Sequence, residues 1–178
     1  MKKLIIGGLV GGIILFIWQF LSFGVFDLHY SQMAYTPLQD QIMECLEETD
    51  LSQGEYYIIR APKGDAASQE TLMEERLGKP WAMIQYHDAL EHNFGMNVIR
   101  AVVINFAAIF ILAWVLLQFK DTSMKNALLL CVGVGLTSYF TSSYMDTIWY
   151  QTNSLPDLVD AIVPWSIIGA WLGWWTNR

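Results

Sequence analysis

The chain has 178 residues, of which 54% are hydrophobic and 15% are charged, with a formal net charge of -7. This composition excludes a disordered chain, a disulfide-rich scaffold and a basic nucleic-acid-binding protein. Four blocks contain no Asp, Glu, Lys or Arg: 4–26, 101–119, 126–145 and 161–177. Because a helix of about 20 apolar residues spans the hydrocarbon core of a bilayer, we predict a multi-pass membrane protein with four spans.

The first span follows Met1-Lys2-Lys3, and it is too long for a signal peptide and lacks a cleavage pattern of small residues. We therefore predict an uncleaved helix and place the four spans at about 4–25, 98–119, 126–146 and 158–176. Basic residues flank the helix ends on one side, with Asp121 as the single acid there: Lys2, Lys3, Lys120, Lys125 and Arg178. By the positive-inside rule, both termini are cytoplasmic.

The long segment between the first two spans predicts an external cap rather than a plain connector. Thr36-Pro37 is typical of a helix start. The pattern then predicts, in order, a helix, a strand, a helix and a strand at 38–48, 55–60, 68–77 and 81–86. A two-stranded sheet is marginal alone, so we expect the cap to rest on the outer ends of the spans.

The predicted fold class is an all-α membrane protein, a four-transmembrane-helix bundle with a small α+β external cap. We divide the chain into a first span with a short cytoplasmic N-terminus (1–26), the external cap (27–97), and three further spans with a cytoplasmic C-terminus (98–178). Tryptophans near the span ends, such as Trp18 and Trp149, are interpreted as membrane-interface anchors.

Glycines four residues apart in the first and fourth spans predict close helix packing, since they let backbones approach. These are Gly7, Gly8, Gly11, Gly12, Gly169 and Gly173. We expect them to bring the first and fourth spans together, and we expect Gly133 and Gly135 to act likewise in the third span. A channel-lining or hinge role for the glycines is the alternative.

Polar side chains concentrate in the outer halves of the predicted spans. Such groups are costly in hydrocarbon without partners, so they should face one another or water. We predict an outward-facing vestibule that could bind a ligand, formed by Gln19, Asn105, Ser138, Ser142 and Asp160. Ser138 and Ser142 are four residues apart and should share a helix face. The alternatives are simple interhelical hydrogen bonding and, for Asp160, a proton relay.

The sequence shows no established catalytic or metal-binding motif. His87, Glu91 and His92 match a metal site in residue type, but they lack a zinc-type spacing, so we predict no metal and no cofactor. Cys45 and Cys131 should lie on opposite sides of the membrane and cannot pair. No phosphate loop, serine-histidine-acid trio or zinc-protease helix is present, so no catalytic residue is assigned.

Several short patterns carry a family resemblance: Gly11-Gly12-x-x-x-Phe16-x-Trp18-x-x-x-Ser22, the Tyr56-Tyr57 strand and the Trp149-Tyr150 pair. With these patterns the chain resembles a group of small four-span bacterial inner-membrane proteins that have no assigned activity. The resemblance covers most of the chain. It implies a bacterial inner membrane, and it implies no catalytic residue.

We therefore expect a non-enzymatic accessory or interaction subunit of the bacterial inner membrane. Its expected partners are the lipid bilayer and a protein that binds the external cap, with no nucleic acid, and it could form an oligomer. Two alternatives remain open. One is a small transporter or lipid-handling protein that uses the vestibule, and the other is a membrane enzyme that uses Asp146, Asp160 or the pair His87 and His92.

Overall fold

A computed structural model describes residues 1–120 and 122–178, so Asp121 lies outside the described residues. The structure is 68% helical and contains a small two-stranded sheet. Four of its helical segments are long and apolar enough to cross a membrane, which indicates a multi-pass membrane protein. The chain forms two compact units, one made of Met1–Ala34 with Asn93–Arg178 and the other of Tyr35–His92.

The elements follow the predicted order, with ends that differ by a few residues. The helices are α1 (Lys2–Phe20), α2 (Gln39–Glu48), α3 (Ala66–Arg76), α4 (Phe94–Leu116), α5 (Met124–Thr141), α6 (Ser143–Tyr150) and α7 (Leu155–Thr176), and the strands are β1 (Gly54–Tyr57) and β2 (Met83–Tyr86). A π-helical turn, Leu21–Val25, extends α1, and a 3-10 turn, Leu28–Ser31, follows it.

The third candidate span, Met124–Tyr150, is longer than predicted and is interrupted. Ser142 has φ -124° and ψ -87°, which are not helical values, so α5 ends before it and α6 begins after it. The interruption separates the hydroxyl-rich part of α5 from the aromatic end of α6. The sequence contains no Gly or Pro at this point, which is why we predicted one continuous helix.

The unit made of Met1–Ala34 with Asn93–Arg178 contains the four candidate spans, and we call it the membrane-type unit. Its central helices are α1 and α7. α1 packs against α4 and α7, and α5 packs on the other side of α7, while α4 and α5 barely touch. The buried apolar core comes from all four: Leu15, Ile109, Leu112, Ala113, Leu116, Ala127, Cys131, Ile168 and Leu172. Both chain termini lie at one end, where Lys3 Nζ donates a hydrogen bond to the carbonyl oxygen of Thr176 at 2.7 Å.

The glycines of α1 contact two different helices rather than α7 alone. Gly7 faces α7, Gly8 and Gly12 face side chains of α4, and Gly11 faces Ile109 of α4 and Trp171 of α7. A Cβ added at Gly11 would lie 2.6 Å from Cγ2 of Ile109, which is closer than real Cβ atoms approach. The glycines of α1 therefore bring this helix close to α4 as well as to α7, and the contact with α4 was not part of the expectation.

The glycines of α5 and α7 form the other close contact. Gly169 and Gly173 face α5, and a Cβ at Gly135 would collide with the backbone oxygen of Ala161 on α7. Gly133 has nothing within 4 Å of an added Cβ. The expectation that Gly133 also packs closely is wrong, because it lies on the open side of α5.

The second unit, Tyr35–His92, contains α2, α3 and an antiparallel β1–β2 sheet in which Gly54 pairs with Tyr86 and Tyr57 with Met83. The side chain of Asp65 caps α3 by accepting a hydrogen bond from the Ser68 amide at 2.9 Å, and this bond lowers the pKa of Asp65. The cap explains why α3 begins two residues before its predicted start. The sheet is short, and both of its strands are edges.

Candidate functional site

One carboxylate of the membrane-type unit collects three hydrogen bonds from distant parts of the chain. Oδ1 of Asp160 on α7 accepts from Nε1 of Trp18 at 2.9 Å and from Oγ of Ser22 at 2.8 Å. Oδ2 of Asp160 lies 3.0 Å from Nε2 of His29. The side chain of Asp160 is 23% exposed, so a mostly buried acid is surrounded by hydrogen-bonding groups.

The local fold explains how α1 and its extension reach Asp160. Trp18 and Ser22 are four residues apart, so they project from the same face of the helix. Asp27 then takes a left-handed conformation (φ 48°), which turns the chain into the 3-10 turn that contains His29. The ring of Phe23 stacks on the imidazole of His29, with centroids 3.9 Å apart, and His29 is only 5% exposed.

A second layer of hydrogen bonds ties the same turn to the start of α7. Nδ1 of His29 lies 2.6 Å from Oε1 of Gln32. Nε2 of Gln32 donates to the carbonyl oxygen of Asn153 at 2.7 Å and to Oδ2 of Asp157 at 2.6 Å. Nδ2 of Asn153 donates to Oγ of Ser31 at 2.9 Å. The segment after α1 is therefore attached to the segment 153–160 at several points.

The electrostatic surroundings favour the charged form of His29. Burial of the ring lowers the pKa of His29, but hydrogen bonds with Gln32 and Asp160 and the negative charges of Asp160 and Asp157 outweigh that effect. The net result raises the pKa above its ordinary value of 6.5. We call the set Trp18, Ser22, His29, Gln32, Asp157 and Asp160 the Asp160 network.

Two open cavities flank α7 at this network, and Asp160 and Trp165 line both. The larger, of about 360 Å³, is lined by Leu15, Trp18, Gln19, Phe23, Asp160, Pro164 and Trp165. The smaller, of about 180 Å³, is lined by Gly135, Ser138, Tyr139, Ser143, Asp157, Asp160, Ala161 and Trp165. A carboxylate beside aromatic rings in such a cavity can hold a polar or cationic group, with apolar walls for a chain attached to it.

The five residues of the predicted vestibule do not line one common cavity. Gln19 and Asn105 form a reciprocal amide pair, with hydrogen bonds of 2.7 and 3.2 Å, and Asn105 is buried. Gln19 also lines the larger cavity with Asp160, and Ser138 lines the smaller one. Ser142 is exposed at the end of α5 and lines neither cavity, and Asn105 lines neither. The two amides satisfy each other, so Asn105 is not available to a ligand.

The other candidate residues are more scattered. Among residues 1–120 and 122–178, no three His, Cys, Asp or Glu side chains lie close enough to hold a metal ion. His87 and Glu91 line a cavity of about 980 Å³ in the second unit, whereas His92 does not. Asp146 lines a separate polar cavity of about 490 Å³ with Gln32 and Asp157.

Both thiols are free, with Cys45 exposed in the second unit and Cys131 buried in the core of the membrane-type unit. The expectation that these two cysteines do not pair agrees with this placement.

Sequence reasoning found Asp160 but missed its partners. From the sequence, Trp18 is interpreted as an interface anchor, and no role is assigned to His29 or Gln32. One signal was available, since a carboxylate inside a predicted span needs donors and Trp18 and Ser22 offer two on one face. No signal in the sequence indicates that His29 folds back onto Asp160.

No protein-family model matches the chain, and no similar protein was found among the curated sequences or the solved structures. The functional conclusion therefore depends on the contacts of this chain's own residues.

Proposed function

We propose that the chain is a multi-pass protein of the bacterial inner membrane that acts as a non-enzymatic interaction subunit through an external unit, Tyr35–His92. The basic residues beside the helix ends support cytoplasmic termini. The four apolar helical segments support the multi-pass arrangement. If both termini are cytoplasmic, the connection between the first two spans lies on the external side of the membrane.

The observation that carries the proposal is the lack of a core in the unit Tyr35–His92. Ile59 is its one buried side chain. A domain of this size is stable only if it buries most of its apolar surface, so this unit needs a covering surface. Large apolar side chains are available for such a contact: Leu38, Ile42, Met43, Ile58, Met73, Leu77, Met83 and Leu90 are each more than one-third exposed.

The charge of the unit indicates what kind of partner would bind it. Residues 35–92 contain twelve acidic and four basic side chains. Such a surface repels anionic lipid headgroups and nucleic acid, and it attracts a protein surface that is basic and partly apolar. A protein partner would bury the exposed apolar side chains and pair with the surrounding carboxylates.

Site-specific photocrosslinking in intact cells tests the proposal. A photoreactive phenylalanine analogue at Ile42, on the apolar face of α2, should give one protein adduct of defined mass. The same analogue at Glu44, on the opposite face of α2, serves as the matched control and should give none. The partner identified from the adduct should then co-purify stoichiometrically with the full chain, and Ile42→Ser with Met43→Ser should abolish that co-purification. Equal adducts at both positions, or no protein adduct at Ile42, would contradict the proposal.

A second candidate function, the handling of a lipid or small solute, is supported by the two cavities that share Asp160. Trp18, Phe23 and Trp165 give the larger cavity aromatic walls, and Asp160 gives it a carboxylate. Native mass spectrometry of the detergent-purified chain distinguishes the two functions. A bound lipid that is lost from Asp160→Asn and retained in Asp146→Asn would favour this second function.

A further inference from the structure

We infer that His29 and Asp160 form a proton-binding site, and that the single proton held between them attaches the segment after α1 to α7. The inference concerns the membrane-type unit and is independent of the function proposed for the second unit. It follows from counting the donors and acceptors of the Asp160 network.

The neighbours of Gln32 determine the orientation of its side-chain amide. One end of the amide lies 2.7 Å from the Asn153 carbonyl oxygen and 2.6 Å from Oδ2 of Asp157, which are both acceptors. That end must be the NH₂ group, so Oε1 faces His29. Because Oε1 can only accept, Nδ1 of His29, 2.6 Å away, must carry a hydrogen.

The other ring nitrogen of His29 faces a second acceptor. Nε2 lies 3.0 Å from Oδ2 of Asp160, while Oδ1 accepts from Trp18 and Ser22. A neutral imidazole with its hydrogen on Nδ1 would direct a lone pair at a carboxylate oxygen. One more proton, placed on Nε2, removes this repulsion. The ring is then an imidazolium that donates to Oδ2 of a carboxylate whose Oδ1 already accepts from Trp18 and Ser22.

The carboxylates near the pair are negatively charged, so the bound proton supplies compensating positive charge. Asp160 and Asp157 act on His29 from α7, and Asp146 lines the cavity that contains Gln32 and Asp157. The elements on the α1 side contribute the neutral Trp18, Ser22 and Phe23. Among the described residues, His29 is the one cationic side chain paired with Asp160. Without the proton, negative charge at the start of α7 is left uncompensated.

The direction of the pH effect follows from the raised pKa of His29. The unfolded chain loses this proton near 6.5, whereas the folded chain retains it to higher pH. The attachment therefore stabilises the fold fully below about pH 6.5, and its contribution is lost as the pH rises through the folded-state pKa of His29. Above that pKa, the bond to Asp160 is replaced by repulsion, and the segment 27–32 is held more weakly, by the bonds of Gln32 and Ser31 to Asn153 and Asp157.

A protein with a single histidine permits a direct measurement. The chain has 3 histidines, so His87→Gln with His92→Gln leaves His29 alone. In the full chain in detergent, ¹⁵N-histidine NMR should show both ring nitrogens protonated at pH 6.5 and a midpoint above 6.5. Asp160→Asn should lower the midpoint by about 1–3 pH units, while the control Asp146→Asn should leave it nearly unchanged. A single protonated nitrogen at pH 6.5, or an unchanged midpoint in Asp160→Asn, would overturn the assignment.

Hydrogen exchange tests the attachment separately from the proton. After correction for the intrinsic pH dependence of exchange, peptides that cover 27–34 should exchange faster above the NMR midpoint than below it. Peptides from α2 provide the control within the same molecule, and their corrected exchange should not follow that midpoint. His29→Gln should remove the pH dependence of the 27–34 exchange. If corrected exchange of 27–34 stays constant across the midpoint, the proton does not hold this segment to α7.

Discussion

The pair Gly135 and Gly133 offers the clearest test of helix packing, because these two residues share one helix and differ only in their surroundings. An added Cβ at Gly135 would lie 2.6 Å from Cδ1 of Trp165 and would also collide with the backbone oxygen of Ala161. That oxygen cannot move without shifting α7. An added Cβ at Gly133 has nothing within 4 Å.

The expected magnitude comes from comparing Gly135→Ala with Gly133→Ala. The gain in helix propensity, up to about 1 kcal/mol, is the same at both positions and cancels in the comparison. What remains is the cost of overpacking at Gly135, about 1–3 kcal/mol. Gly133→Ala should be as stable as the wild type or slightly more stable, and Gly135→Ala should be less stable than Gly133→Ala by that amount.

Reversible unfolding of both variants in mixed detergent micelles measures this difference. Because Ala161 follows Asp160 directly, NMR of His29 in Gly135→Ala would also show whether a displaced α7 disturbs the Asp160 network. Equal free energies of unfolding for the two variants would refute the packing argument, since it requires α5 and α7 to be in backbone contact at Gly135.

Three further predictions concern topology, buried amides and exposure. A reporter fused after Arg178 should read cytoplasmic and one inserted at Gly64 should read external, and an external C-terminus would mean that the number of spans is wrong. Gln19→Leu should cost about 1–3 kcal/mol by stranding the buried amide of Asn105, and Asn105→Leu should cost less because the amide it strands, Gln19, is only half-buried, whereas the double variant should be less destabilised than the sum of the two in a double-mutant cycle of thermal unfolding. In a cysteine-free background, Ser142→Cys should react with a membrane-impermeant thiol reagent and Asn105→Cys should resist it, and labelling of both would mean that position 105 is reached by water and is not buried.

The fold was largely predictable because the absence of charge is a strong signal over a long window. Twenty residues without a charged side chain leave little choice besides a buried or membrane helix. The interruption of the third span was not predictable in this way. Ser142 adopts φ -124° and ψ -87°, and nothing in its residue type or in its neighbours Thr141 and Ser143 indicates this conformation.

Which helices pack together was harder to predict from the sequence than where each helix lies along the chain. The spacing of Gly7, Gly8, Gly11 and Gly12 identifies a narrow helix face, but it does not say which helix fills it. Phe106, Ile109 and Phe110 of α4 occupy most of that face, and this pairing depends on matching shapes across a long sequence separation. Periodicity carries no information about such matching.

The candidate site was also only partly predictable from the sequence. Asp160 could be singled out from one sequence, because a carboxylate within an apolar block is unusual and costly. Its bond to His29 joins residues that are 131 positions apart. It depends on the left-handed turn at Asp27, and Asp at that position gives only a weak indication of the turn. The donors and acceptors around His29 can therefore be counted only in the folded structure, where both ring nitrogens lie beside acceptors.

The two ends of the membrane-type unit are held together by different forces, which has a consequence for how the protein can respond to its surroundings. Towards the chain termini, α4, α5 and α7 share an apolar core that includes Leu116 and Leu172, and such contacts do not depend on pH. At the other end, the segment 27–32 is held to α7 by the hydrogen bonds of the Asp160 network. A change in protonation can therefore alter one end of the unit while the other keeps its packing, and the altered segment leads directly along the chain into the unit that begins at Tyr35.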